Sequence, residues 1–219
     1  MDARKRRLLF LLISILITLL AVGVSAQGSS GTLTVGAPLS AQLAAGATLA
    51  SQEVNFTLVP EVPFKLEGEC GLLAMLHRRV LERRHAVIVV AEGAGQHLMP
   101  PSEERDASGN LLHRDIGLFL RHKIKEHFAA QRFPIVIRYF DPSYYIRSVP
   151  ASTVDSVLCD SFARHAVHAA MAGKTDMIIG LQHGVFINVP IPMATTQRKR
   201  LSAEEWASVV TATGQPDLG

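Results

Sequence analysis

Short apolar runs alternate with longer amphipathic stretches over most of the chain. The runs AVIVVA (Ala86–Ala91) and PIVIRYF (Pro134–Phe140) are typical of buried parallel strands. Leu66–Arg84 has a stripe of leucine and valine at helical spacing, with arginine and glutamate opposite, and a second helical pattern runs from Asp115 to about Gln131. Strands that alternate with helices predict an α/β fold with a three-layer, parallel-type sheet flanked by helices.

The same patterns predict the remaining elements. The helix predicted at Thr153–Ala172 should be capped by Ser152 or Thr153 and end at Gly173. The further predicted helices are Leu43–Gln52, Thr153–Ala172 and Ala203–Thr211, and the further predicted strands are Val54–Val59, Met177–Gly180 and Val185–Val189.

The first 42 residues do not follow this pattern. Leu8–Ala26 has nineteen residues without a charge, a length that can just cross a bilayer as a helix. Val24-Ser25-Ala26 also resembles a signal-peptidase site. We therefore predict an apolar N-terminal helix, with residues 1–26 acting as a signal peptide or a membrane anchor, and both alternatives stay open. Residues 27–42 are rich in small side chains and are predicted to be a low-complexity spacer before a globular domain at 43–219.

Charge and cysteine content exclude some classes of function. The 219 residues carry a formal net charge of +3, and residues 1–7 alone account for +3, so the rest sums to zero. A basic surface for nucleic acid is therefore not expected. Cys70 and Cys159 have no metal-like spacing and are predicted to be free, buried thiols of a reducing compartment.

Two segments carry candidate binding chemistry. Glu61 lies between prolines in VPEVPF, where a fixed backbone aims a carboxylate that can accept hydrogen bonds from sugar hydroxyls. Arg138, Tyr144 and Arg147 lie on or just after the run 134–140, and arginine forks with a tyrosine hydroxyl suit phosphate oxygens. The carboxyl ends of parallel strands are where α/β proteins hold ligands. From the residues alone, a phosphate-ester site and a surface salt-bridge cluster both stay open.

Two further features are weaker. Glu92 follows the run 86–91, and at that position a ligand contact and a structural turn are both compatible with the sequence. His165 and His168 lie three positions apart on a predicted helix, but no third metal ligand can be named. We therefore predict no metal site.

Several longer segments occur in one order between Leu43 and Leu218: AAGATLASQEVNFTLVPEVPF, VIVVAEGAGQ, IRYFDPSYYIRSVPAS, AVHAAMAGKTDMIIG, VPIP and ATGQP. Together they resemble the C-terminal half of a 6-phosphofructokinase, of the branch that contains pyrophosphate-dependent and plant-type ATP enzymes. The resemblance implies the substrate-binding half of that fold and phosphoryl transfer to fructose 6-phosphate in glycolysis. It also implies a cytoplasmic location and a homo-oligomer.

The resemblance implies roles for individual residues. Glu61 in PEVPF would bind the hydroxyls of fructose 6-phosphate. Tyr144 and Arg147, the Tyr-x-x-Arg of DPSYYIR, would hold sugar and phosphate. Arg138 matches a basic position that is usually lysine in this branch, and Tyr145 is expected to pack.

The departures from the family concern its other half. No stretch matches the Gly-rich phosphate loops, the nucleotide or pyrophosphate site, or the Thr-x-Asp-x-Asp catalytic segment, and PLSAQL replaces the usual Met-Gly-Arg element. We therefore assign no catalytic residue and no metal ligand. In the complete family enzyme Mg²⁺ acts with ATP or pyrophosphate, and no residue identifiable here would bind them.

Two functions follow as alternatives. The first is a 6-phosphofructokinase chain truncated to its sugar-phosphate-binding half, inactive alone, whose partner is a further copy or a missing N-terminal half. The second is a membrane-tethered, non-catalytic module that binds a sugar phosphate or a partner, with membrane association through residues 8–26. The family resemblance favours the cytoplasm, whereas the apolar segment favours a membrane or export, and both stay open.

Overall fold

The computed structural model describes residues 31–107, 109, 111–142, 148–196 and 200–219. The chain forms two compact units. We call the described residues up to 142 together with Arg200–Gly219 the sheet unit, and those within Ser148–Lys199 the hairpin unit. The predicted apolar helix at Leu8–Ala26 lies outside the described residues. Of the helices that are described, none has both the length and the apolar character needed to cross a bilayer.

The sheet unit contains four parallel strands in the order β2-β3-β1-β4. They are β1 (Gly31–Leu39), β2 (Phe56–Leu58), β3 (His85–Ala91) and β4 (Ile135–Phe140). In the register, Val35 of β1 lies opposite Ile88 of β3 on one side and Tyr139 of β4 on the other. Because the neighbours are parallel, all four carboxyl ends lie at the same edge of the sheet.

Four α-helices belong to this unit: α1 (Ala41–Ser51), α2 (Leu72–Arg83), α3 (Ile116–Ala130) and α6 (Ala203–Thr213). Three of them start at a side-chain cap that satisfies an unpaired backbone N–H. Ser40 caps α1 and Asp115 caps α3. At α6, Ser202 and Glu205 form a reciprocal capping box. A short 3₁₀ turn covers Gln96–Leu98.

The two faces of the sheet bury different side chains. One face packs against α2 and α3, where Leu76, Ile88 and Leu120 are completely buried. The opposite face packs against α1 and α6 through smaller residues, including Ala44 and Val209. Alternation along β3 explains the division, since successive side chains of a strand point to opposite faces. The prediction of a parallel α/β sheet flanked by helices is therefore confirmed.

The edge strand β2 pairs with a side-chain amide instead of a further strand. The Thr57 N–H donates to Gln215 Oε1 at 2.7 Å, and Gln215 Nε2 donates to the Thr57 carbonyl at 3.3 Å. The amide thus takes the place of a neighbouring strand, and it anchors the segment after α6 to the sheet. Both residues are buried, so each bond also satisfies a polar group that water cannot reach.

The hairpin unit consists of α4 (Thr153–Met171), β5 (Met177–Gln182), β6 (Val185–Pro190) and the short helix α5 (Ile191–Thr195). Ser152 caps α4, as predicted. The two strands are antiparallel and joined by His183 and Gly184, which both have positive φ. Such a two-residue turn matches the twist of an antiparallel pair.

Three expectations differ from the structure. Residues 31–39, predicted as part of a spacer, form β1, the strand flanked by β3 and β4. The small side chains concealed a short alternation in which Leu33 and Val35 are buried. The strands β5 and β6 pair antiparallel rather than extending the parallel sheet. Cys70 and Cys159 are free, as predicted, but both are exposed rather than buried.

Candidate functional site at the carboxyl edge of the sheet

The order of the strands identifies one position at the carboxyl edge. From β1 the chain leaves through α1 on one face of the sheet, whereas from β3 it leaves through α3 on the other face. Since β1 and β3 are neighbours, connections on opposite faces open a crevice between their carboxyl ends. In open α/β sheets this switch point is where ligands bind.

The loop after β3 begins at this crevice with Glu92, whose carboxylate is exposed. Gly93 follows with φ +84, and a Cβ there would lie 3.6 Å from His113 Nε2 and 3.7 Å from Pro60 Cβ. The glycine thus brings the β3 loop, His113 and the turn after β2 together. Two residues on, Gly95 (φ +62) has no room for a side chain, because a Cβ would lie 2.8 Å from Ile116 Cδ1.

Glu61 is half-buried at the carboxyl end of β2. Its Oε1 accepts a hydrogen bond from the Leu201 N–H at 3.2 Å. Its Oε2 is buried, and within the described residues it has no hydrogen-bond partner. An unpaired buried acceptor costs about 1–3 kcal/mol, so Oε2 would gain from a donor such as a hydroxyl. One half of the carboxylate is thus structural, and the other half is available to a donor.

Arg138 is half-buried on β4, opposite Thr34 of β1. It lies on the other edge strand from Glu61, with β3 and β1 between them. Three strand spacings amount to about 14 Å, so the backbones of β2 and β4 are too far apart for one small ligand to contact both closely. Glu92, at the end of β3, is one spacing closer to β4. Tyr144 and Arg147 lie outside the described residues.

Tyr139 of β4 lies near two carboxylates. The Tyr139 hydroxyl donates to both carboxylate oxygens of Asp115, at 3.4 and 3.3 Å. Burial, followed by the negative charges of Asp115 and Asp141, raises the pKa of Tyr139 to about 12. The phenol is therefore a neutral donor at physiological pH, and it holds Asp115 at the start of α3.

An open groove of about 940 Å³ adjoins this edge. Its volume falls in the range of about 300–1,000 Å³ that is usual for small-molecule sites. His113 and Asp115 line it, with Glu103, Glu104 and Arg114 as the other charged groups. Gln96 fixes this wall, because its side-chain amide accepts from the Arg114 N–H and donates to the Arg114 carbonyl, both at 3.0 Å.

The structure shows which of the candidate residues lie at the same edge of the sheet. It brings Glu61, Glu92 and His113 to one edge and leaves Arg138 on the far strand. Sequence reasoning missed His113, since the polar loop that contains it has no periodicity to reveal what it contacts. Glu92 had one signal, its position directly after a buried strand.

The described residues offer no group of three or more histidine, cysteine, aspartate or glutamate side chains that could hold a metal ion. A Mg²⁺ ion in proteins needs carboxylates, substrate phosphates and waters in octahedral geometry. We assign no Mg²⁺ ligand among the described residues and derive no step that involves the metal.

Comparison with known proteins identifies the family. The family model described as Phosphofructokinase matches residues 36–170, which is more than half of the chain. The ATP-dependent 6-phosphofructokinase of Borreliella burgdorferi is 44% identical over 88% of this chain and 45% of its own length. The ATP-dependent 6-phosphofructokinase 7 of Arabidopsis thaliana is 43% identical over 82% of this chain and 38% of its own length. The chain thus spans less than half the length of these relatives.

Solved structures agree at the level of the fold. The pyrophosphate-dependent phosphofructokinase of Marinobacter aquaeolei superposes with a TM-score of 0.55 and 19% identity, covering 81% of this chain and 43% of that one. The phosphofructokinase of Pichia pastoris in the T-state gives a TM-score of 0.54 and 17% identity, covering 92% of this chain and 21% of that one. With the sequence matches over most of its described length, the chain belongs to the phosphofructokinase family.

Proposed function

We propose that this chain is the sugar-phosphate-binding part of a 6-phosphofructokinase, which transfers a phosphoryl group to fructose 6-phosphate in glycolysis. The observation that carries the proposal is the 44% identity over 88% of the chain to an ATP-dependent 6-phosphofructokinase. The crevice between the carboxyl ends of β1 and β3 supports it, because it provides a ligand position in the part of the fold that the chain contains.

The proposed contacts divide the ligand between two strands. Arg147 and Tyr144, which follow β4 in the sequence, hold the phosphate group through charge-assisted and hydroxyl hydrogen bonds. Arg138 on β4 supplies a further positive charge. Of the two carboxylates at this edge, Glu61 can accept a hydrogen bond from a sugar hydroxyl through Oε2, which has no partner among the described residues.

Glu92 is a second carboxylate for the same hydroxyls. It is exposed at the switch point, and it lies two strand spacings from β4, about 10 Å. Glu61 is three spacings away and uses one oxygen to hold Leu201. These spacings favour Glu92 over Glu61 as the carboxylate that shares a ligand with Arg138 of β4, while Glu61 fixes the neighbouring turn through Leu201.

Phosphoryl transfer also needs a base for the attacking hydroxyl and a metal–phosphate cradle. We assign neither to this chain, so Mg²⁺ with ATP or pyrophosphate belongs to the remainder of the family enzyme. We expect the purified chain to bind fructose 6-phosphate without phosphorylating it. Its proposed partner is a further copy or the part of a phosphofructokinase chain that the relatives have in addition.

The test is a titration of the purified chain with fructose 6-phosphate by isothermal calorimetry. We expect saturable binding that Arg147→Ala weakens at least tenfold, because the phosphate loses a paired cation. Arg121→Ala removes an exposed arginine of α3 and serves as the matched control. Absence of binding at millimolar ligand, or equal affinity in both variants, would contradict the proposal.

Two further variants separate the carboxylates. Glu61→Gln and Glu92→Gln keep the side-chain shape and remove the charge. If Glu92 shares the ligand, Glu92→Gln weakens fructose 6-phosphate binding and leaves stability unchanged, whereas Glu61→Gln mainly lowers stability. The reverse pattern would assign the sugar hydroxyls to Glu61. A coupled assay with ATP or pyrophosphate and Mg²⁺ should show no turnover in either variant or the parent.

A further inference from the structure

A small pocket of about 170 Å³ lies within the hairpin unit, between the last turns of α4 and one face of the β5–β6 hairpin. His165 and His168 line it from α4, Lys174 from the turn that follows, and Phe186 and Asn188 from β6. None of these residues belongs to the site at the carboxyl edge of the sheet unit.

One wall of the pocket is held by aromatic packing. The His165 ring stacks on Phe186 with centroids 4.3 Å apart and an angle of 23° between the planes. Phe186 also packs edge-to-face against Phe162, at 5.0 Å and 90°. Stacking fixes the plane of the imidazole without using its nitrogens, so they can donate to a ligand in that plane. His168, three positions further along α4, projects from the same face of the helix.

The polar groups around the pocket lack acidic partners. Among the described residues, the side chains of His165, His168 and Lys174 form no hydrogen bond or salt bridge, and no aspartate or glutamate lines the pocket. A lysine ammonium and two imidazoles, with the amide of Asn188, supply hydrogen-bond donors and positive charge. That donor set matches an oxyanion. The lysine would repel a metal cation, and the histidines have no third metal ligand in the described chain.

The C-terminus of α4 disfavours an anion, since a helix C-terminus carries partial negative charge. Three of its last carbonyls already accept hydrogen bonds: the N–H groups of Ala172, Gly173 and Lys174 donate to the carbonyls of His168, Ala170 and Ala169, at 2.9–3.0 Å. The pocket is also smaller than the roughly 300–1,000 Å³ of a drug-sized or nucleotide site, so a single phosphate group fits it better.

We propose that the hairpin unit binds inorganic phosphate in this pocket, through Lys174, His165, His168 and Asn188. This site is additional to the proposed fructose 6-phosphate site and does not depend on it. The ligand is a small oxyanion, and a free phosphate ion and a terminal phosphate of a larger molecule share that chemistry.

The experiment is a titration of the full chain with potassium phosphate, followed by the imidazole C–H resonances in NMR. Ionic strength is held constant with potassium chloride, pH is constant, and EDTA removes metal ions. We expect the resonances of His165 and His168 to shift saturably, and Lys174→Gln to weaken the apparent affinity at least tenfold. Lys125→Gln removes one positive charge from an exposed position of α3 and should leave the affinity unchanged.

Further variants test a second donor of the pocket and its independence from the sugar-phosphate site. His168→Ala removes a different donor and should weaken phosphate binding as Lys174→Gln does, with the backbone amide spectrum showing that both variants are folded. Arg147→Ala should leave the phosphate shifts of His165 and His168 intact while it weakens fructose 6-phosphate. If glucose 6-phosphate binds more weakly than inorganic phosphate, the ligand of this pocket is the free ion.

The results separate the two proposals. Shifts that chloride alone reproduces, or an affinity that neither Lys174→Gln nor His168→Ala changes, would overturn the phosphate site. If the unmutated chain does not bind fructose 6-phosphate but the phosphate titration gives the expected shifts, only the proposed function is overturned.

Discussion

The two units of this chain use the same kinds of side chain in different ways. In the sheet unit, the aliphatic residues of β3 and of the helices α2 and α3 are buried in one continuous core. In the hairpin unit, α4 has nineteen residues but buries only Ala169 among its described side chains. Val157 is 61% exposed, Val167 60% and Met171 83%.

This difference shows what each unit can do alone. The sheet unit covers both faces of its sheet with helices and so excludes water from its core. A two-stranded hairpin with one long helix cannot enclose a comparable volume, and isolated two-stranded sheets are marginally stable in water. Several large apolar side chains exposed on one helix are typical of a surface that packs against another. The family relatives, which are more than twice as long as the matched segment, have the chain to provide such a surface.

The largest contrast should come from trimming one aliphatic side chain in each unit. Ile88 of β3 is completely buried, so Ile88→Ala should cost about 2–5 kcal/mol of unfolding free energy through lost contacts and a cavity. Val157→Ala removes an exposed side chain, so its effect should stay within about 0.5 kcal/mol. Urea denaturation followed by far-UV circular dichroism measures both.

The fluorescence of Trp206, the single tryptophan, reports on the sheet unit separately. Ile88→Ala should move the fluorescence transition to lower urea, and Val157→Ala should not. A cost for Val157→Ala as large as that for Ile88→Ala would break the contrast. It would mean that Val157 is covered in solution by a partner surface.

A second pair of variants compares two glycines with the same backbone conformation. Gly95 (φ +62) lies in the sheet unit, and Gly173 (φ +74) ends α4 in the hairpin unit. An added Cβ at Gly95 would lie 2.8 Å from Ile116 Cδ1, whereas at Gly173 it would meet nothing within 4 Å. Gly173→Ala should cost about 1–2 kcal/mol from left-handed strain alone. Gly95→Ala should cost about 1–3 kcal/mol more because the core must also shift.

Both values come from urea midpoints at fixed pH, with the slope of each transition checked against the parent. Equal costs would show that Ile116 and Phe64 move aside without penalty. That outcome would contradict the close packing of the β3 loop, on which the position of Glu92 depends.

Most of the fold could be predicted from local patterns. The run Ala86–Ala91 differs from β3 by one residue, and Ser152 and Asp115 are the caps that their side chains suggest. These features depend on interactions a few residues apart, which a sequence displays directly. The strand β1 could not be predicted in this way, because Leu33 and Val35 are buried by neighbouring strands that lie over fifty and over one hundred positions away.

The candidate site was predictable in part for the same reason. The resemblance pointed to Glu61, and the position directly after an apolar strand pointed to Glu92, both of which local sequence can indicate. The bond of Glu61 to Leu201 spans 140 positions, and the approach of His113 to Gly93 depends on a Cβ that is absent. Such contacts follow from strand order, so they become visible only once the sheet is assembled. The roles of Tyr144 and Arg147 stay predictions.

The smallest effect concerns a histidine between α2 and α3 in the sheet unit. The His127 ring lies 5.5 Å from the His77 ring, and its buried Nε2 has no hydrogen-bond partner in the described chain. Burial, and then the positive charge of His77, lower the pKa of His127, and Glu67 partly offsets them. Above about pH 6.5 the ring is neutral in both the folded and the unfolded chain, so its contribution to stability is complete.

As the pH falls below that value, the unfolded chain takes up the proton first, and stability is lost until the folded-state pKa is also passed. We therefore expect the urea midpoint of the Trp206 transition to fall between pH 7.5 and pH 5.5, and His127→Gln to reduce this fall. His122→Gln on the same helix is the matched control. His122 is exposed, and its Nε2 lies 3.0 Å from Glu126 Oε1, so His122→Gln removes an imidazole that solvent already reaches. We expect this control to lose as much stability between pH 7.5 and pH 5.5 as the parent. A His127→Gln variant that loses as much stability as the parent would place the acid sensitivity elsewhere in the sheet unit.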